Sequence, residues 1–97
     1  MSSNLNNLTI IVVEDDKDIR GHVGAFLNRS GAKVVVARNG SEGLQAIKNN
    51  HPNMVLSDIK MPGMDGFGLL REIRALEPDA GGSVPVIAMT AFVAYAD

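Results

Sequence analysis

The fold is decided by the stretch Thr9-Ile-Ile-Val-Val-Glu-Asp-Asp16, in which a short apolar run leads directly into three acidic residues. An apolar run without polar alternation is typical of a strand that is covered on both faces, as in the parallel sheets of α/β proteins. Acidic residues directly after such a strand lie at its carboxyl end, which is the edge of a parallel sheet where ligands bind. The stretch therefore predicts an α/β fold and a functional site at the carboxyl edge of its sheet.

Three further runs of the same kind follow along the chain. They are Lys33-Val-Val-Val-Ala37, Met54-Val-Leu-Ser57 and Val84-Pro-Val-Ile-Ala-Met89. The segments between them have helical length and an apolar period of about 3.6 residues. The alternation β-α-β-α-β-α-β implies one parallel sheet with right-handed crossovers and helices on both faces.

The helical segments have predicted buried stripes and predicted ends. The stripe of the first helix, which ends at Ser30-Gly31, consists of Ile19, Val23, Phe26 and Leu27. Ser41 is the predicted N-cap of the second helix, which His51-Pro52 stops. The stripe of the third helix, which ends at Glu77-Pro78, consists of Phe67, Leu70, Ile73 and Leu76. Residues 79–83 are predicted to form a flexible loop.

The composition of the 97 residues excludes several classes of function. There is no Cys, so a disulfide framework, a thiolate nucleophile and a cysteine-ligated metal are all excluded. A net charge of −2, no Trp and only four aromatic residues argue against nucleic-acid binding. The apolar runs are far shorter than the roughly 20 residues of a membrane span, and the N-terminus lacks the pattern of a signal peptide. These features predict a cytoplasmic domain with no direct nucleic-acid partner and no membrane partner.

Acidic side chains follow two of the predicted strands. Glu14 and Asp15 come directly after the first strand, and Asp58 comes directly after the third. Like charges at one edge of a sheet repel each other unless a cation neutralises them, and carboxylates with open coordination positions suit Mg²⁺. Asp16 is instead predicted to be a helix N-cap or a solvated residue of the first turn. Thr90 follows the fourth strand and places a hydroxyl at the same edge, where it can hydrogen-bond a phosphoryl oxygen.

Three segments together resemble the receiver domains of two-component response regulators, a family that includes the chemotaxis response regulator. They are Ile11-Val-Val-Glu-Asp-Asp16, Val55-Leu-Ser-Asp-Ile-Lys-Met-Pro-Gly-Met-Asp-Gly66 and Val84-Pro-Val-Ile-Ala-Met-Thr-Ala91. Their order and spacing match across the whole chain, and the part from Asp58 to Gly66 is highly specific. Residues 79–85 and 88–92 also resemble receivers that are attached to hybrid sensor histidine kinases.

The resemblance implies a flavodoxin-like doubly wound fold, whose strand order in the family is 2-1-3-4-5. It implies that Asp58 accepts a phosphoryl group from a histidine kinase or a histidine phosphotransfer domain. It further implies that Mg²⁺ is held by Asp15, Asp58, the backbone carbonyl of Lys60 and, through water, Glu14. Thr90 is expected to bond the phosphoryl group and to carry the switch. Such a switch changes partner interactions and catalyses its own phosphorylation, but it is not an enzyme that turns over an external substrate.

The chain departs from the family pattern at its C-terminal end. We expect residues 1–97 to form a single receiver domain with a flexible leader over 1–7 and without the family's fifth strand and fifth helix. The predicted strand order is therefore 2-1-3-4. The lysine that ends the family's fifth strand is absent as well, and neither Lys17 nor Lys60 can replace it. Either the chain is a fragment of a longer protein whose remainder covers the fourth strand, or this strand is an uncovered apolar edge that pairs with a partner or with a second copy of the chain.

Two alternative functions stay open at this point. The first is a pseudo-receiver, an interaction module that is not phosphorylated. The absent lysine favours it, whereas the intact set of Glu14, Asp15, Asp58 and Thr90 argues against it. The second is an aspartate-nucleophile phosphohydrolase. Enzymes of that kind carry a second Asp two residues after the nucleophile, but Lys60 occupies this position.

Overall fold

The computed structural model describes residues 5–61 and 63–89 of the chain. Within these ranges the strands are β1 (Thr9–Val13), β2 (Lys33–Ala37), β3 (Met54–Ser57) and β4 (Val86–Ala88). The helices are α1 (Lys17–Arg29), α2 (Gly40–Asn50) and α3 (Gly66–Arg74), and a 3₁₀ turn covers Pro78–Ala80. The predicted alternation of strands and helices is confirmed for this part of the chain. In the same ranges, no helix is both long and apolar enough to cross a membrane.

The described strands form one parallel sheet in the order β2-β1-β3-β4, which confirms the predicted order. Its ladder continues past the strand ends. The N–H of Glu14 donates to the carbonyl of Ala37 at 3.0 Å, and the N–H of Asp58 donates to the carbonyl of Val13 at 3.0 Å. These two hydrogen bonds bring the acidic residues that follow β1 and β3 to the same edge of the sheet.

The side chains of β1 alternate between two hydrophobic cores, which explains why its sequence is apolar throughout. Ile11 and Val13 pack in the core under α2 and α3, whereas Ile10 and Val12 pack in the core on the side of α1. All four are at most 1% exposed. Burial of an aliphatic side chain of this size contributes about 2 kcal/mol, so β1 is a main source of the fold's stability.

The two faces of the sheet are covered unequally by the described residues. One face carries α2 and α3, and the other carries α1, which packs on β1 and β2. Over β3 and β4 this leaves an apolar groove of about 370 Å³ between α1 and the side chains of Leu56, Ile87 and Met89. Phe26 lines the groove and is 60% exposed, so its predicted place in the buried stripe of α1 is wrong.

Several predicted element ends need correction. The N-cap of α2 is Asn39, whose Oδ1 accepts a hydrogen bond of 2.8 Å from the N–H of Glu42, whereas Ser41 is an exposed residue inside the helix. The strand β4 is shorter than the predicted 84–89. Val84 is held by the loop instead, because its N–H donates to Gly81 and its carbonyl accepts from Arg74.

The third helix also differs from its prediction. It ends at Arg74, before the predicted Glu77-Pro78, and its buried residues are Leu69 and Ile73. Phe67, in the first turn, is 57% exposed. The predicted loop over 79–83 begins inside the 3₁₀ turn, where the N–H of Gly82 donates to the carbonyl of Glu77 at 3.0 Å.

Of the predicted N-terminal leader, residues 5–7 belong to the described part of the chain. The N–H of Leu5 donates to the carbonyl of Ser30 at 3.2 Å, and the Leu5 side chain packs against the core on the side of α1. The flexibility of the leader stays a prediction.

Candidate functional site

The acidic residues after β1 and β3 meet at the carboxyl edge of the sheet. One carboxylate oxygen from each of Glu14, Asp15 and Asp58 lies within 4.8 Å of the others. The three side chains differ in exposure, because Glu14 is buried, Asp58 is half-buried and Asp15 is exposed. The structure therefore brings together three of the predicted site residues, and the carboxylates of Asp15 and Asp58 are accessible from solvent.

Glu14 has the most unusual environment of the three residues. Its side chain is 2% exposed, and this burial is the main cause that raises its pKa from an ordinary 4.5 to about 7. A hydrogen bond of 2.9 Å from the N–H of Asp16 to Oε2 acts in the opposite direction, while the charges of Asp58 and Asp15 raise the pKa further. A cation beside the cluster would favour the ionised form of Glu14, since opposite charges at short range stabilise each other.

The turn between β1 and α1 is held from its helical side. Oδ1 of Asp16 accepts hydrogen bonds of 2.9 Å from the N–H groups of Asp18 and Ile19, which confirms Asp16 as the N-cap of α1. Nη1 of Arg20 donates to the carbonyl of Glu14 at 2.8 Å and, at 3.4 Å, to that of Asp15. Arg20 was not among the predicted site residues. The one feature of the sequence that could have indicated it is a basic residue in the first turns of a helix that follows acidic residues at a strand end.

The backbone of Asp58 is approached closely by the first residue of α3. A β-carbon added at Gly66 would lie 2.5 Å from the Asp58 carbonyl oxygen and 2.7 Å from Cα of Ile59. The N–H of Gly66 donates to the carbonyl of Ile59 at 2.7 Å. Only a residue without a side chain fits this contact, so Gly66 allows α3 to begin directly behind Asp58.

Lys60 and Thr90 are the other two predicted site residues, and neither belongs to the acidic cluster. Lys60 lies two positions after Asp58, and its backbone N–H donates to Oδ1 of Asp58 at 3.3 Å. The role of its carbonyl as a metal ligand stays a prediction. Thr90 lies outside the described residues, as does residue 62 of the loop that follows Asp58.

The donor set of the site fits a divalent cation. Glu14, Asp15 and Asp58 offer oxygen ligands only, from the ends of two adjacent strands. Carboxylates suit hard cations, and Mg²⁺ in particular is held by one or two of them while it keeps water or phosphate oxygens in its other positions. The half-buried position of Asp58 leaves this carboxylate within reach of a second reactant.

Comparison with known proteins gives a consistent result. The family model described as response regulator receiver domain matches residues 10–97. The chain is 39% identical over 93 residues to the 14.6 kDa protein of the sodA1 3′ region of Leptolyngbya boryana, with 96% of this chain and 70% of the relative covered. It is 42% identical over 80 residues to the DNA-binding transcriptional regulator NtrC of Escherichia coli, with 82% of this chain covered but only 16% of NtrC.

Solved structures agree with these relatives. The N-terminal domain of a response regulator receiver protein from Methanoculleus marisnigri superposes with a TM-score of 0.79 at 35% identity, over 86% of this chain and 66% of that one. The chemotaxis protein CheY4 of Vibrio cholerae superposes with a TM-score of 0.77 at 26% identity, over 84% of this chain and 66% of that one. Sequence, topology and site therefore lead to one conclusion: the chain belongs to the family of response regulator receiver domains of two-component signalling.

Proposed function

We propose that this chain is a phosphoacceptor switch that receives a phosphoryl group on Asp58 with the help of Mg²⁺. The observation that carries the proposal is the convergence of Glu14, Asp15 and Asp58, whose carboxylate oxygens come within 4.8 Å of one another. A half-buried carboxylate with two acidic neighbours is suited to act as a nucleophile once a cation offsets their charge.

The proposed step is an in-line transfer from a phosphohistidine. A carboxylate oxygen of Asp58 attacks phosphorus, the new O–P bond forms as the P–N bond breaks, and the electron pair of the P–N bond stays on the imidazole nitrogen. The product is an acyl phosphate on Asp58. Mg²⁺, when bound, supplies charge neutralisation at the phosphoryl oxygens. Glu14 and Asp15 would hold the ion together with Asp58 and the carbonyl of Lys60, and Thr90 would bond the phosphoryl group.

The proposed phosphodonor is a histidine kinase or a histidine phosphotransfer domain. We further propose that the chain catalyses only its own phosphorylation, because the site offers a nucleophile and acidic metal ligands, with Lys60 where a phosphohydrolase carries its second Asp. The output is then a change in the proteins that the domain binds.

The decisive experiment is the intact mass of the chain after incubation with acetyl phosphate and Mg²⁺. The transfer of one phosphoryl group adds about 80 Da. The expected result is this gain in the unmodified chain and its loss in Asp58→Asn. Asp65→Asn is the matched control: Asp65 caps α3 with a hydrogen bond of 2.7 Å to the N–H of Gly68, and Asn caps helices equally well.

The other outcomes correspond to the alternative functions. No gain in mass, with the fold intact by circular dichroism, would contradict the proposal and indicate a pseudo-receiver that acts as an interaction module. Hydrolysis of a stable phosphate monoester over many turnovers, dependent on Asp58, would indicate a phosphohydrolase instead, because a phosphoacceptor needs a high-energy phosphodonor.

A further inference from the structure

We infer that Arg20 is a positioning residue for the acidic cluster. Its guanidinium holds the turn after β1 in the conformation that lets Glu14 and Asp15 share a divalent cation with Asp58. The inference rests on the proposed function, because it assigns a role in binding the metal ion of that site.

The hydrogen-bond ladder between β1 and β2 leaves the carbonyl of Glu14 to Arg20. The backbone N–H and carbonyl groups of alternate residues of β1 are directed at β2. The N–H of Glu14 continues this ladder and donates to the carbonyl of Ala37. In a parallel ladder the carbonyl of Glu14 would next accept from the residue two positions further along, which is Asn39. In the described part of the chain the N–H of Asn39 does not make this bond, because the backbone leaves the ladder at Asn39 and enters α2. In the described part of the chain, the donor at the Glu14 carbonyl is Nη1 of Arg20, at 2.8 Å.

Arg20 is itself held in place by α1. It lies in the first turns of α1, where its N–H donates to the carbonyl of Asp16 at 2.9 Å, and its side chain is half-buried. The same Nη1 lies 3.4 Å from the carbonyl of Asp15. One side chain therefore contacts the backbone of both predicted metal ligands of this turn. Hydrogen bonds from a charged donor are stronger than neutral ones, so the turn is held firmly.

The sign of the effect separates positioning from simple electrostatics. A positive guanidinium beside the cluster repels a cation, so loss of the charge alone would tighten Mg²⁺ binding. Loss of the hydrogen bonds to the Glu14 and Asp15 carbonyls would instead loosen the two ligands and weaken binding. Partners that orient metal ligands typically change affinity by about 10- to 100-fold. We expect the second effect to dominate.

The experiment is a titration of the metal-free chain with Mg²⁺ at one fixed pH, in which the chemical shifts of the backbone amides report the binding. We expect Arg20→Gln to weaken Mg²⁺ binding, with a dissociation constant at least about tenfold higher than that of the unmodified chain. Arg29→Gln is the matched control, because it removes the same charge from the exposed last turn of the same helix. It should bind Mg²⁺ as the unmodified chain does. Arg20→Lys, which keeps the charge but not the guanidinium, should bind less tightly than the unmodified chain.

Each outcome decides the inference. Equal or tighter binding by Arg20→Gln overturns it. If the amide spectrum shows that Arg20→Gln is unfolded, Arg20→Lys decides: weaker binding supports the inference, and unchanged binding overturns it. Asp15→Asn tests the underlying metal site separately. If Asp15→Asn loses Mg²⁺ binding and the Arg20 variants do not, only the role of Arg20 is wrong. If Asp15→Asn binds as the unmodified chain does, the metal site itself is wrong.

Discussion

At the scale of single residues, Glu14 links the charge of the site to the stability of the fold. Its pKa is about 7 in the folded chain against an ordinary 4.5, chiefly because of burial. Between these pH values the folded state keeps a proton that the unfolded state has released. The contribution of Glu14 to stability is therefore fully present below pH 4.5 and is lost as the pH rises through about 7.

This sign gives a prediction for the metal-free protein. The free energy of unfolding should fall as the pH rises from 4.5 to about 7, by at most about 1.4 kcal/mol per pH unit for this one group. Urea denaturation at a series of pH values measures the slope. Glu14→Gln, which cannot ionise, should show a flatter profile. An identical slope in the variant would mean that another group causes the pH dependence.

The sequence predicted the acidic cluster because its geometry follows from topology. Once β1 and β3 are parallel neighbours, Glu14, Asp15 and Asp58 must arrive at one edge. Arg20 could not be found in the same way. Its hydrogen bonds go to backbone carbonyls, and the position of a backbone carbonyl leaves no trace in the pattern of side chains.

At the scale of elements, the start of α2 shows how a cap is misassigned from sequence. Asn39 and Ser41 are both residue types that cap helices, and only the backbone decides between them. Asn39 is extended, with φ −156° and ψ 175°, and its side chain reaches the N–H of Glu42. We expect Asn39→Ala to lower the free energy of unfolding by about 1 kcal/mol, measured by chemical denaturation.

The matched variant for this cap is Ser41→Ala, which changes an exposed side chain two residues away. Ala is the more favourable residue inside a helix, so the change should be close to neutral or slightly stabilising. Equal destabilisation by the two variants would contradict the assignment of Asn39 as the cap.

The helical stripes were predicted less accurately than the strands. The strand β1 is apolar from Ile10 to Val13 because helices cover both of its faces, and β2 and β3 could be located because each contains a short apolar run of the same kind. A helix is covered only where a neighbour exists. Phe26 and Phe67 have the right spacing for their stripes, but Phe26 lines the groove over β4 and the side chain of Phe67 is exposed in the first turn of α3.

At the scale of the whole molecule, the uneven covering of the sheet bears on association. Among the described strands β4 is an edge strand, and Ile87 is 48% exposed beside the groove. The predicted self-association through this edge should therefore depend on Ile87. We expect the chain to dimerise at high concentration in sedimentation experiments and Ile87→Lys to weaken the dimer at least about tenfold, because a charge on an edge strand opposes pairing.

Val36→Lys is the control for this experiment, because Val36 is 51% exposed on β2, at the opposite edge of the described sheet. It should leave the dimer intact. A chain that stays monomeric at every concentration would show the prediction to be wrong, and an equal effect of Val36→Lys would place the contact at β2.

The central position of β1 in the sheet also affects how the chain folds while it is being translated. Among the described strands β1 is synthesised first. The strand β2 can pair with one edge of β1 after a single helix, but the other edge stays unpaired until β3 has been synthesised. Translation of the intervening residues 38–53 takes about one to three seconds, whereas helices and short loops form within microseconds. The most buried of the described strands therefore has one edge unpaired for a period that is long on the folding timescale, and during this period chaperones and neighbouring nascent chains can reach it.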